Sequence, residues 1–204
     1  MSRARQKLLT RQRIIEAAGR GFRKGGFGGF GVDGLAKEAG VTSGAFYVHF
    51  DSKTAAFRAA VADGMAGLKI GVLHFQSEHG HRWWPEFVRF YLQVKRTCDL
   101  SDSCTLQSLS PEVARSDESV RVAFEVGFLD VANAIIAGPD SAAVPRDLDS
   151  ACAAMATLVG AVTLARAVSS DAIADKIANA AERALLTPHK PGVATGRRTG
   201  PSQR

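Results

Sequence analysis

The sequence predicts an all-α protein, and three observations predict it. Apolar residues recur every three or four positions, as in Ile14, Ile15, Ala18 and Phe22, and again in Val120, Phe124, Phe128, Val131 and Ile135. Alternating apolar and polar runs bounded by turn residues, the mark of half-buried strands, do not occur. Glycine, proline and short polar residues interrupt the periodic segments where helix ends require them. No internal repeat is visible.

Each element has its own justification. A first helix is expected from about Thr10, a capping residue, to Lys24. The run GGFGGFG (25–31) should end it, because glycine accepts the left-handed conformation that closes a helix. A short second helix covers Val32 to about Ala39 with Leu35, Ala36 and Ala39 inward, and Gly40 breaks it. Thr42 or Ser43 caps a third that reaches about Phe50, with Phe46 and Phe50 four apart on one face. Ser52 caps a fourth, striped by Phe57, Val61, Met65 and Leu68. HRWWPEFVRFYLQVKR (81–96) predicts a fifth from about Pro85, since proline is tolerated in a first turn. Residues 117–137 read as a long amphipathic helix, 138–147 (GPDSAAVPRD) as a loop, and 147–168 and 171–186 as two more helices. The chain then divides into 1–53, 54–186 and a tail, 187–204, whose Pro, Gly and Thr content predicts disorder.

Composition bounds the rest. With 46% hydrophobic and 23% charged residues in 204, the balance is globular. No run approaches the roughly 18 uninterrupted apolar residues of a membrane helix, so no membrane partner is expected. The basic start MSRARQKLLTRQR lacks the apolar segment of a secretory leader. Cys98, Cys104 and Cys152 show no CxxC pairing and fit a reduced, cytoplasmic setting. The net charge of +6 is uneven: residues 1–53 hold 10 basic and 4 acidic groups, 54–186 hold 12 and 16, and the last 18 hold 4 and none. Positive charge focused on a mildly acidic body suits contact with a nucleic acid or another anionic surface; a solubilising surface is the other reading.

The stretch GVTSGAFYVHFDSK (40–53) concentrates the chemistry. Two short helices joined at a glycine make a helix-turn-helix, whose second helix enters the major groove. Gly40 makes the turn and Val41 plugs the helix junction. Thr42, Ser43, Gly44 and Ala45 are small groups that permit close approach at a helix start. Phe46 and Phe50 anchor the helix, while Tyr47 and His49 can donate to phosphate oxygens. Lys53 adds a cation at the start of the next helix, where the dipole disfavours it, so an anion there would explain it.

On TRQRIIEAAGRGFRKGGF (10–27), VDGLAKEAGVTSGAFYVHFDSK (32–53) and the helix that follows, the chain resembles the TetR-type (TetR/AcrR) transcriptional regulators. The resemblance implies an N-terminal three-helix helix-turn-helix DNA-binding domain and a C-terminal helical domain for ligand binding and dimerisation. It implies a homodimer that binds double-stranded DNA at a palindromic operator, as a repressor, and is released by a small-molecule effector. Carried over by position, Thr42, Ser43, Ala45, Tyr47 and Val48 fall where the family touches DNA, and His49 and Lys53 fall on phosphate-contact positions. Asp33 stands where many members carry a longer polar or basic residue; it would repel phosphate but could accept from a cytosine amino group. Gly31 replaces the usual Ser or Thr cap. The arm SRARQK (2–7) could reach DNA or be disordered.

Trp84, Phe87, Tyr91, Phe124 and Phe128 could line an effector pocket or simply fill the core. Ala151, Ala153, Ala154, Ala156, Gly160 and Ala161, with Ile173, Ile177, Ala181 and Leu185, suit a dimeric four-helix bundle as well as a monomeric core. Cys98 and Cys104 flank DLSD and could sense oxidants or electrophiles, although structural thiols are the commoner use. The histidines and cysteines lack ligand spacing, so no metal is expected. Neither a nucleophile with its base nor a phosphate loop in its proper context is present, so neither enzymatic activity nor a cofactor is expected. A small-molecule-binding helical protein without specific DNA recognition is the remaining alternative.

Overall fold

Ser2, eight residues before the expected cap, starts the first helix. In the computed structural model, which describes residues 2–187, its hydroxyl accepts from the amide of Arg5 at 3.3 Å, and α1 runs Arg3–Gly29. Thr10 lies inside α1 and turns its hydroxyl back onto the Gln6 carbonyl at 3.0 Å. Residues 3–7 are therefore helical rather than a loose arm. At the other end the glycine run does not stop the helix cleanly. The break falls at Gly26 (φ 68°, ψ 178°), and helical bonding resumes to Gly29. This kink folds Phe27 back onto Phe22 and Phe57, with ring centroids 5.8 and 5.2 Å apart.

The next elements follow their caps. α2 spans Val32–Glu38 behind Gly31, which offers no side-chain cap. α3 is only Ser43–Tyr47, shorter than the expected run to Phe50; the Thr42 hydroxyl accepts from Ala45 at 3.1 Å. Beyond Tyr47, the amides of His49 and Phe50 both turn to the Phe46 carbonyl, at 2.9 and 3.0 Å, which tightens the exit into a turn. Ser52 caps α4, Lys53–His79, accepting from Ala55 at 3.0 Å.

A 3₁₀ turn at Gly80–Arg82 leads into α5, Trp83–Thr97, which begins two residues before Pro85. A second such turn, Leu100–Asp102, precedes α6, Thr105–Ala114. The sequence pattern did not disclose α6. Its serines compete locally for backbone bonds, and Pro111 inside it removes a donor. α7 (Glu118–Ile136) is capped by Asp117, and α8 (Leu148–Ala167) by a reciprocal Asp147–Ser150 capping box. α9 spans Asp171–Leu186. Among the described residues there is no strand. The tail expectation for 187–204 lies outside the described residues except at Thr187.

Two apolar clusters share α4. One gathers Ile14, Phe22, Leu35, Phe46, Phe50, Phe57 and Val61 with Leu109 and Val113 of α6 and Val120 of α7. The other gathers Met65, Val72, Trp83, Phe87, Tyr91 and Leu92 with residues of α7, α8 and α9. The N-terminal half of α4 therefore belongs to the first three helices and its C-terminal half to the body. Gly127 of α7 allows close passage, since a Cβ there would lie 2.6 Å from that of Met65. α8 has the length and hydropathy of a membrane span, but seven of its residues, from Ala151 to Ala165, are buried in the core.

Candidate nucleic-acid interface and interior cavity

The turn between α2 and α3 is held from outside. Gly40 takes φ 64°, and the Arg13 guanidinium of α1 donates to the carbonyls of Ala39 (2.6 Å) and Gly40 (3.3 Å). The positive φ favours glycine at position 40, and a side chain there would also displace the guanidinium that holds the turn. α3 is fixed by its inner face, with Phe46 and Phe50 buried. Its other face is open: Tyr47 is 54% and Val48 65% exposed. Thr42 is exposed, and Ser43 and Ala45 are half-buried. The exposed carboxylate of Asp33, on α2, accepts a short hydrogen bond from the Ser43 hydroxyl and so ties the two helices.

Around this pair the charges are placed by packing. The Lys53 ammonium sits 4.5 Å over the ring of Phe27, so the glycine-kinked end of α1 supplies a partner for the cation at the start of α4. His49 is half-buried, with Nδ1 buried and unpartnered. Burial first, and then Lys7 and Arg11, lower its basicity below the ordinary histidine value. The Arg11 guanidinium lies 4.9 Å over Phe50. Lys7 was read only as part of the arm 2–7, and Arg11 was not singled out in the sequence. The signal was available: once α1 starts at Arg3, residues 3, 7 and 11 stand one turn apart on an exposed row.

The expected pocket aromatics do not share one cavity. Phe87 and Tyr91 line a cavity of about 650 Å³ between α4, α5 and the segment 102–105. Trp84 lines a different one of about 530 Å³, beside Pro145 and Thr157. Phe124 and Phe128 stack at 6.4 Å and pack against the cores, lining neither. The larger cavity also carries Arg23, Phe75, Phe90, Lys95 and Cys104, along with Gly64, Gly67 and Gly71 of α4. A Cβ at Gly67 or Gly71 would meet nothing within 4 Å, so these glycines open the space.

Two polar groups mark this cavity. The Tyr91 hydroxyl is buried without a hydrogen-bond partner. Burial first, and the neighbouring Cys104 second, hold the phenol well above its ordinary pKa, so it stays protonated. Arg23 reaches from α1 to donate to the Ser101 carbonyl at 2.7 Å and the Thr105 hydroxyl at 3.5 Å; burial is the largest influence on it and lowers its pKa. All three cysteines are free; Cys104 is buried, and the half-buried Cys98 accepts from Arg166 at 3.2 Å. Among the described residues, no three His, Cys, Asp or Glu side chains gather into a metal cluster.

Comparison with known proteins bears on this geometry. Residues 14–60, from the middle of α1 into α4, match the model of "Bacterial regulatory proteins, tetR family". No curated protein matches the sequence. Among solved structures, the reduced form of NemR from E. coli superposes with a TM-score of 0.69 at 20% identity, covering 90% of this chain and 99% of its own. A TetR-family regulator from Cytophaga hutchinsonii gives 0.70 at 20% identity, covering 91% and 96%. The multidrug binding protein EbrR, complexed with imidazole, gives 0.58 at 20% identity, covering 91% and 97%. At such identities the likeness is one of fold, while the N-terminal match is one of sequence. Residues 14–60 thus carry the sequence signature of the tetR-family regulatory proteins, and the whole chain shares the fold of solved TetR-family regulators.

Proposed function

We propose that the chain is a cytoplasmic, homodimeric repressor that binds a palindromic operator and is released by a small molecule. The observation that carries this reading is the arrangement along α4. Its first residue, Lys53, follows the end of α3 by six residues, and its glycine-lined middle walls the 650 Å³ cavity, a size that suits a small ligand. Thr42, Ser43, Ala45, Tyr47, Val48, His49 and Lys53 form the DNA contact set. Asp33 sets the orientation of Ser43 and repels phosphates that approach off register. The unit 1–53 reads DNA, and 54–186 binds effector and partner. Two such units, about one helical turn of DNA apart, place both α3 helices in successive major grooves.

The dimer face is supported by what α8 and α9 leave uncovered. Ala153, Ala156, Gly160, Leu164 and Ala167 recur at helical spacing on α8, exposed or half-buried, and Ile173, Ala180 and Ala184 do so on α9. Ala151, Ala154, Ala161 and Ala181 belong instead to the chain's own core. Selection of bound duplexes from a random pool tests the reading. Enrichment of one palindrome supports it; salt-sensitive retention blind to sequence would show instead a ligand-binding protein without specific recognition.

A thiol-sensing variant of this function has one observation in its favour: Cys104 lines the same cavity wall as Tyr91. It requires that Cys98→Ser with Cys104→Ser abolish release of DNA by oxidants. Release that persists in the double mutant ends that variant.

A further inference from the structure

The larger cavity carries two side-chain cations against a single carboxylate. Arg23 and Lys95 both line it, with His74 and His79, against the one acid Asp102. Neither Arg23 nor Lys95 forms an ion pair among the described residues. Each is held instead by a backbone carbonyl of the Leu100–Asp102 turn: Arg23 on Ser101 at 2.7 Å and Lys95 on Asp102 at 2.8 Å. Both are half-buried, and a half-buried cation bonded only to neutral oxygens gains from an anion, because a charge-assisted pair offsets desolvation better than a carbonyl does. Arg23 has donors to spare, since two of the five guanidinium N–H groups are used.

The remaining walls describe the rest of the ligand. Phe75 packs against Phe87 and Phe90 with centroids 5.6 and 5.2 Å apart, giving a slot of aromatic faces and edges. Gly67 and Gly71 leave the facing side of α4 bare. Tyr91 lines the same space, its own hydroxyl buried without a hydrogen-bond partner.

From this we infer that the cavity takes a flat apolar organic acid, a carboxylate or sulfonate on an aromatic body. Its anion is captured by Arg23 and Lys95, and its ring lies against Phe75, Phe87 and Phe90. This deepens the proposed effector release and rests on it for the consequence. Arg23 belongs to α1, the helix whose Arg13 clamps the α2–α3 turn. An anion that draws Arg23 off the Ser101 carbonyl removes a tie between reading head and body, so bound and free states differ in how α1 is held.

The test is calorimetric titration of the full chain with 2-naphthoate and with its neutral counterpart 2-naphthamide. The carboxylate should bind at least about tenfold more tightly, the size of one charge-assisted bond. Arg23→Gln should erase the preference, and Gly71→Phe should abolish binding of both. Equal affinity for the amide, an unchanged preference in Arg23→Gln, or no binding of either compound would overturn the inference. If Arg23→Gln does not fold, Lys95→Met takes its place: a reduced preference supports the inference, and an unchanged one overturns it. Anisotropy of a selected DNA duplex separates the two readings. Naphthoate that binds through Arg23 but leaves DNA affinity unchanged keeps the ligand class and ends the release mechanism. DNA released by the amide alone keeps the mechanism and ends the ligand class.

Discussion

Lys53 looked from sequence like a cation in the wrong place, needing an anion to justify it. The structure gives it the face of Phe27, 4.5 Å away, which is worth about 0.5–1 kcal/mol at an exposed site and holds the ammonium in position before any DNA arrives. Lys53→Ala should weaken duplex binding and lower the salt-dependence slope by about one, at the cost of a small loss of stability. Tyr47→Phe should weaken binding with no change in slope. Titrations at several salt concentrations read both, and unchanged affinity in both variants removes these residues from the contact set. His49 makes a prediction with two opposite signs. Its pKa in the fold lies below 6.5, so above that pH it is neutral whether folded or not. As pH falls through 6.5 the unfolded chain takes the proton first, and folding stability declines. DNA phosphates favour the imidazolium, so duplex affinity should rise over the same interval. Thermal melts and DNA titrations down the pH scale should diverge in this way for the native chain, and neither trend should survive in His49→Gln. Asp33 shows the limit of reading single residues. Its oddity was visible, but its partner Ser43, across the turn, was not.

At the scale of elements, α4 holds the sharpest contrast. Gly64, Gly67 and Gly71 stand close together on it, and sequence alone gives them the same meaning: each weakens a helix. The structure separates them. A methyl at position 64 would press into the Thr105 side chain, whereas at 67 or 71 it would meet nothing within 4 Å. Gly67→Ala and Gly71→Ala should each stabilise the protein by up to about 1 kcal/mol, the helix-propensity difference, while Gly64→Ala should destabilise it. Denaturant melts of the three variants decide this. A gain at Gly64, or losses at both of the others, would show that the space above α4 is not as described. The helices whose ends carry strong local signals, such as Ser52 before α4 and Asp147 before α8, were legible to within a residue or two. α6 was not, because packing of Leu106, Leu109 and Val113 into the cores outweighs its serines and Pro111. α1 began earlier than its apolar stripe, since a cap at Ser2 can extend a helix that buries nothing there.

At the scale of the whole molecule, the dimer is the expectation most exposed to test. Gly160 has open space around it and Leu164 is 58% exposed, so neither Gly160→Arg nor Leu164→Arg should disturb the monomer fold. Both should shift sedimentation from dimer to monomer with an unchanged helical spectrum. DNA affinity should fall by 10²-fold or more, on the order of the avidity lost when two reading heads are no longer linked. Variants that remain dimeric would move the interface elsewhere. The sequence by itself determined that the chain is helical and that a glycine turn at position 40 joins two short helices. Periodicity and caps act within a turn or two, so each segment carries its own instructions. Only the tertiary structure decided that Arg23 grips a carbonyl 78 residues away, that Phe27 receives Lys53, and that a cavity opens above Gly67 and Gly71. A void is bounded by side chains from distant segments, and no local pattern encodes the place where atoms are missing.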